Sequence, residues 1–198
     1  MLDKKQLDEY RQDIKFTAKL CDETLNFTST WGIFSPRGID AGTELLMKYI
    51  KVKTDDDCFD LGCGYGPIGL TLAKLAPQGK TLLVDKDFMA VEYTNKNAQL
   101  NNIKNAKAIL SNGFQHIDRS NKFNIIVSNV PAKVGKEMMS LMLHDAHQFL
   151  KEDGKLYLVT VNGLRQYMKR NLKEIFGNYK KVKQGKSYTI HLATKAKV

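Results

Sequence analysis

A chain of 198 residues that is 42% hydrophobic and 26% charged has the makeup of one globular domain able to bury a sizeable core. Three cysteines without Cys-x-x-Cys spacing exclude a disulfide framework and a zinc ribbon, and no apolar run approaches membrane-spanning length. The net charge of +10 favours an anionic partner, and it is uneven: residues 151–198 hold 12 Lys and Arg against 3 acidic residues, residues 1–30 only 5 against 6. With no signal-peptide apolar core at the N-terminus, the expectation is a cytoplasmic protein without a membrane partner.

Lys5 to Ile14 has the spacing of a short charged helix. Lys15–Leu20 and Thr24–Ser29 alternate in polarity around Cys21-Asp22-Glu23, which predicts a β-hairpin. Residues 1–32 thus form an N-terminal extension of a core spanning 33–198, the whole being one domain. The hairpin either covers one end of that core or walls a cleft. A loop punctuated by Gly32, Pro36 and Gly38 leads to Asp40, which either caps a helix beginning near Thr43 or faces a ligand.

The stretch Cys58-Phe59-Asp60-Leu61-Gly62-Cys63-Gly64-Tyr65-Gly66-Pro67 reads as a buried strand, a carboxylate and a glycine turn, and Ile68–Leu75 continues it as a helix. Such a turn lets a ligand lie against bare backbone at a helix N-terminus. A dinucleotide-binding turn would carry its third glycine at position 67, where this chain has Pro67. Strand Thr81–Asp85 ends in a carboxylate suited to a ribose diol, and Asp87 is placed to cap the next helix, which ends at Asn101-Asn102. A third strand, Ala106–Leu110, runs into Ser111-Asn112-Gly113-Phe114, which is either a ligand-contacting strand end or a plain turn. A fourth, Phe123–Ser128, delivers Asn129-Val130-Pro131-Ala132.

The helix that follows carries a methionine and leucine stripe whose reading is core packing; His144 and His147 lack further metal ligands, and no metal is expected. Glu152-Asp153-Gly154 reads as a turn before strand Lys155–Val161. A basic helix from Leu164 to Phe176 and strands Tyr179–Gln184 and Ser187–Leu192 complete the chain.

Asp60 with Gly62, Gly64 and Gly66, followed by the acidic strand end Asp85, resembles motif I of the class I S-adenosylmethionine-dependent methyltransferases. Phe34-Ser35, Asp40, Gly42-Thr43 and Leu45-Leu46 resemble the segment before motif I in the ribosomal RNA guanine-N2 methyltransferases and their small single-domain relatives. Asn129-Val130-Pro131-Ala132 is similar to the Asn-Pro-Pro-aromatic motif of enzymes that methylate exocyclic or amide nitrogens. Together these cover about Ile33 to Leu192. The larger guanine-N2 enzymes add an N-terminal domain, and the expectation for these 198 residues is the catalytic domain alone.

The resemblance implies an α/β three-layer sandwich: a seven-stranded, mostly parallel, Rossmann-like sheet closed by a reversed hairpin. It implies S-adenosylmethionine as cofactor, with Asp60, Gly62, Gly64 and Gly66 at the methionine part and Asp85 and Lys86 at the ribose. Asn112, Gly113 and Phe114 would address the adenine, Phe114 by packing on its face, and Asn129 would border the cofactor. Catalysis would fall to the Asn129 side chain and the Val130 carbonyl, aimed by Pro131, with Phe34, Lys133 and Lys136 on the substrate. The implied partner is RNA, ribosomal RNA first, and the implied target is the exocyclic N2 of a guanine. Two departures bear on this: Val130 replaces a proline, and Ala132 replaces the aromatic platform for a flipped base, a place Phe34 or Trp31 would have to fill. Alternatives are a protein glutamine-N5 methyltransferase, a small-molecule methyltransferase, and a non-catalytic RNA-binding module. Nothing in the sequence bears on oligomeric state.

Overall fold

The structure, a computed structural model, describes residues 3–197. Helix α1 (Lys4–Arg11) opens with a capping box between Asp3 and Gln6. It ends before the expected Ile14, because Ile14 already pairs with Ser29 in the hairpin of β1 (Ile14–Leu20) and β2 (Glu23–Ser29). Cys21 and Asp22 both take positive φ at the tip, the backbone twist that a tight hairpin needs.

After α2 (Ala41–Met47), two strand and helix pairs follow, β3 (Cys58–Leu61) with α3 (Pro67–Leu75) and β4 (Thr81–Asp85) with α4 (Phe88–Leu100), and then the strand β5 (Ala106–Leu110). Then come β6 (Phe123–Asn129), α5 (Lys136–Phe149), β7 (Leu150–Val161), α6 (Arg165–Phe176), β8 (Lys180–Gln184) and β9 (Tyr188–Thr194). The seven later strands form one sheet in the order β5-β4-β3-β6-β7-β9-β8. The first five are parallel; β9 runs antiparallel to β7 and β8.

The central strands are mostly apolar because both faces are covered, with polar residues such as Asp60, Ser128 and Asn129 towards their carboxyl ends. Cys58, Ile125, Val127, Tyr157 and Val159 face Leu46, Met47, Ile68 and Leu72 of α2 and α3. The alternate residues Phe59, Leu61, Ile126, Leu156 and Leu158 face Met139, Leu143, Met168 and Leu172 of α5 and α6. Each fully buried aliphatic side chain of this kind stabilises the fold by about 1.5–3 kcal/mol.

The hairpin lies against the glycine turn. Leu25 and Phe27 pack with Tyr65, Leu70 and Ala98, and Asn97 of α4 binds Thr28 on both its N–H (2.7 Å) and its carbonyl (2.9 Å). The expected turn at Glu152-Asp153-Gly154 is instead a kink inside β7. Asp153 adopts φ 58°, its N–H donates to Lys195 O and Lys195 N–H donates to Gly154 O, so the strand continues through the bend.

Candidate active site

The parallel strands deliver their carboxyl ends to one edge of the sheet. Asp60 pairs with Leu83 on one side and Val127 on the other, so Gly62 follows just beyond it at the end of its own strand, and Asp85 and Asn129 end the neighbouring strands. Asp60 is 1% exposed. Its Oδ2 accepts the Gly69 N–H of α3 at 2.8 Å, while Oδ1 is buried without a hydrogen-bond partner. Burial pushes this carboxyl up to about 7, against the Gly69 N–H and with help from the charge of Asp85.

Asp85 holds the glycine turn closed: one carboxylate oxygen accepts from Gly64 N–H at 2.9 Å and the other from Asp87 N–H at 3.0 Å. Asp87 caps α4 by accepting from Met89 N–H, as expected. Gly62 has φ 79°, and a Cβ there would meet nothing within 4 Å. Gly66 has φ 95° and sits so close to Leu70 and Thr94 that a Cβ would lie 2.9 Å and 3.1 Å from them. The turn therefore needs glycine at 66 for packing, and at 62 it offers open backbone. Lys86 is exposed beside Asp85.

At the end of β5, Asn112 is exposed and Gly113 (φ 62°) again has open space where a side chain would stand. Both border a cavity of about 310 Å³ between this loop and α5. Phe114 does not offer its ring as an adenine platform. It is 5% exposed and stacked between Phe59 and Phe149, centroids 4.7 Å and 4.8 Å away, as part of the core. The ring is held there by this apolar packing, and the Ser111 hydroxyl closes the loop around it by donating to Gly113 O and accepting from His116 N–H.

Asn129 ends β6 half-buried. Its Nδ2 donates to Asp40 Oδ2 at 2.8 Å and to Thr43 Oγ1 at 3.1 Å. A carboxylate only accepts, so the amide orientation is fixed chemically: the NH2 faces Asp40 and Oδ1 faces away. No described residue donates to Oδ1. Asp40, expected either to cap α2 or to face a ligand, caps it through Gly42 and Thr43 and also holds Asn129. Val130 differs from proline in a useful way. Its N–H donates to Val159 O at 3.0 Å and its side chain is 4% exposed, so the residue is tied to the sheet from both sides. Pro131, Lys133 and Lys136 follow on the surface.

Phe34 is 66% exposed. Its neighbour Ile33 packs with Tyr65 and lies 4.0 Å from where a Gly64 Cβ would be, which puts Phe34 beside the glycine turn. The Tyr65 hydroxyl pins this loop by donating to Gly38 O. Ser111 and Tyr188, whose hydroxyl donates to Asp40 Oδ1 at 3.2 Å, carried no signal in the sequence that set them apart from core and turn residues. Among the described residues no group of three or more His, Cys, Asp or Glu side chains is placed to hold a metal ion.

A doubly wound sheet with an acid-tipped β3 and β4, a glycine turn between β3 and α3 and an antiparallel last hairpin defines the class I methyltransferase fold. The sequence profile of the methyltransferase small domain matches residues 24–192, and the chain belongs to that family. It is 32% identical over 180 residues to the Bacillus subtilis (strain 168) protein named "Uncharacterized protein YbxB", 89% of each chain being covered. The structure matches the T. thermophilus 16S rRNA N2 G1207 methyltransferase (RsmC), in complex with AdoMet and guanosine, with a TM-score of 0.84 and 26% identity. That match covers 92% of this chain and 50% of the other, so this chain spans half the length of that enzyme. The ribosomal protein L11 methylase of Lactobacillus delbrueckii subsp. bulgaricus shares the fold with a TM-score of 0.68, at 20% identity and with 84% of each chain covered. The family and fold make the protein an S-adenosylmethionine-dependent methyltransferase.

The site fits that cofactor on its own terms. An unpartnered buried carboxylate oxygen, bare backbone at Gly62 and Gly113, and a carboxylate at the tip of β4 are the features a nucleoside with a charged tail calls for. None of the described helices is long and apolar enough to cross a membrane.

Proposed function

We propose that the chain methylates a nitrogen of RNA, first among candidates the exocyclic N2 of a guanine in ribosomal RNA. The observation that carries this reading is the Asn129 carboxamide, locked with its NH2 on Asp40 and Thr43 so that only Oδ1 is presented beyond the strand end. Bound S-adenosylmethionine would supply an electrophilic methyl group. The residues that would hold it are Asp60 with Gly62, Gly64 and Gly66, Asp85 with Lys86, and Asn112 with Gly113, without the buried ring of Phe114.

An exocyclic amine is a weak nucleophile because its lone pair is conjugated with the ring. Asn129 Oδ1 and the Val130 carbonyl would accept its two N–H bonds and turn the lone pair out of conjugation. No strong base is required, since the proton leaves the nitrogen after transfer. Support for RNA comes from charge and from likeness. Lys133 and Lys136 are exposed just past Asn129, and Lys183 and Lys186 lie in and beside the β8–β9 turn, whose Tyr188 reaches Asp40. RsmC, which matches across 92% of this chain, is seen with guanosine. Phe34, exposed beside the glycine turn, would supply the platform missing at Ala132.

An amide nitrogen would need the same two acceptors, so protein glutamine is the reading to exclude. Purified protein with tritiated S-adenosylmethionine should label RNA and leave protein fractions unlabelled. Nucleoside mass spectrometry of RNA from cells with and without the gene should then show loss of one methylated guanosine. Label in protein alone would sink the RNA assignment.

A further inference from the structure

Asp40 does more than end a helix. Oδ2 accepts from Gly42 N–H (2.8 Å), from Thr43 N–H (3.3 Å) and from Asn129 Nδ2 (2.8 Å), while Oδ1 accepts the Tyr188 hydroxyl (3.2 Å). Its partners come from α2, the end of β6 and the start of β9, elements up to 148 residues apart in the chain. The fit is close: a Cβ at Gly42 would lie 2.8 Å from Asp40 Oδ2 and 3.0 Å from the Tyr188 ring. Rotating the Asn129 carboxamide by half a turn would set its carbonyl against this carboxylate. It would also present an NH2 where the proposed reaction needs an acceptor. A carboxylate cannot donate, so it enforces one of the two orientations, whereas Thr43 Oγ1 alone, able to donate or accept, would enforce neither.

We propose that Asp40, braced by Tyr188, is a positioning residue that sets which end of the Asn129 carboxamide meets the substrate nitrogen. This rests on the reading above, in which Asn129 accepts from that nitrogen. The last hairpin thereby takes part in the active site without touching substrate: its Tyr188 hydroxyl fixes the second oxygen of the group that orients Asn129.

Capping alone would make a different forecast, and the two separate cleanly. Asp, Asn and Ser are about equal as N-caps. Of these, Asp and Asn can place an oxygen on Asn129 Nδ2, and serine is too short. The full-length protein and its Asp40→Asn, Asp40→Ser and Tyr188→Phe variants would be assayed with tritiated S-adenosylmethionine. The acceptor would be ribosomal RNA from cells lacking the gene. Calorimetry with the cofactor and ¹⁵N NMR of the Asn129 side-chain amide would accompany the assay.

Asp40→Ser should lower kcat by about tenfold or more, the scale of a misplaced transition-state hydrogen bond. Its cofactor affinity and thermal midpoint should stay near those of the wild type, and the Asn129 amide protons should lose protection from exchange. Asp40→Asn should restore both kcat and protection, and Tyr188→Phe should fall between. Equal kcat in Asp40→Ser and Asp40→Asn, or a loss in Asp40→Ser matched by lost cofactor affinity, overturns the positioning role and leaves the methyltransferase reading intact. A wild type that labels no RNA overturns both.

Discussion

A carboxylate that is 1% exposed, with one oxygen held by a single N–H and the other unpartnered, is poorly supported as an anion. Asp60 accordingly titrates at about 7 in the folded protein, against an ordinary value of 3.8. Between those values the folded chain keeps a proton that the unfolded chain has released. Stability therefore falls as pH climbs through this window and stays lower above it. Urea midpoints measured near pH 5 and pH 8 should drop further for the wild type than for Asp60→Asn, which cannot ionise; equal drops would mean the buried oxygen is better solvated than its surroundings suggest.

Phe34 poses the opposite case, an aromatic ring 66% exposed beside the glycine turn. Phe34→Ala should leave stability and cofactor binding unchanged while weakening RNA turnover. A lost base stack is worth about 1–3 kcal/mol, so kcat/KM for RNA should fall roughly tenfold, read by the same methyl-transfer assay. At this scale the sequence is a fair guide to residue type and a poor one to direction. Asp87 as a cap is local, set by the two residues after it, and needed nothing else. Phe114 turns inward to stack between Phe59 and Phe149, and Asp40 meets Tyr188 across most of the chain; neither is visible without the fold.

The strands were readable because burial on both faces leaves apolar runs, bounded by glycine and acidic residues that the sequence shows directly. Where an element departs from its local signal, a distant partner decides. Glu152-Asp153-Gly154 has turn composition, yet β7 runs through it because Lys195 hydrogen-bonds both Asp153 and Gly154. Docking of the hairpin is set in the same way. Asn97 is fully buried on α4 and makes three hydrogen bonds, to Thr28 N–H, Thr28 O and Tyr65 O, so one carboxamide joins β2 to the glycine turn. Asn97→Ala would leave those backbone groups buried without partners, at about 1–3 kcal/mol for an orphaned group. A loss of about 3 kcal/mol in urea-unfolding stability is expected, with amide exchange rising first in β2. Uniform exchange across the protein would instead mean that the hairpin and core open together.

The distribution of charge over the whole molecule gives the RNA reading its sharpest test. The sheet order puts β6, β7, β9 and β8 on one side of β3, and the lysine-bearing edge β8 climbs to a turn beside Asp40. Lys133, Lys136 and Lys186 are all exposed at that end. Lys80, Lys104 and Lys107 form a second basic group around a depression at the opposite end of β4 and β5, far from Asn129. Both groups contribute equally to net charge, so a purely long-range attraction would treat them alike. Phosphates held at the cleft would not. Each contact to a single strand contributes about 0.7 to the slope of log affinity against log salt, so reversing Lys133, Lys136 and Lys186 to Glu should flatten that slope by about 2. The same reversal at Lys80, Lys104 and Lys107 should leave it nearly unchanged, and neither set should alter cofactor affinity. If the second set carried the slope instead, RNA would lie along the far end of the sheet, and Asn129 could not be the residue that meets it.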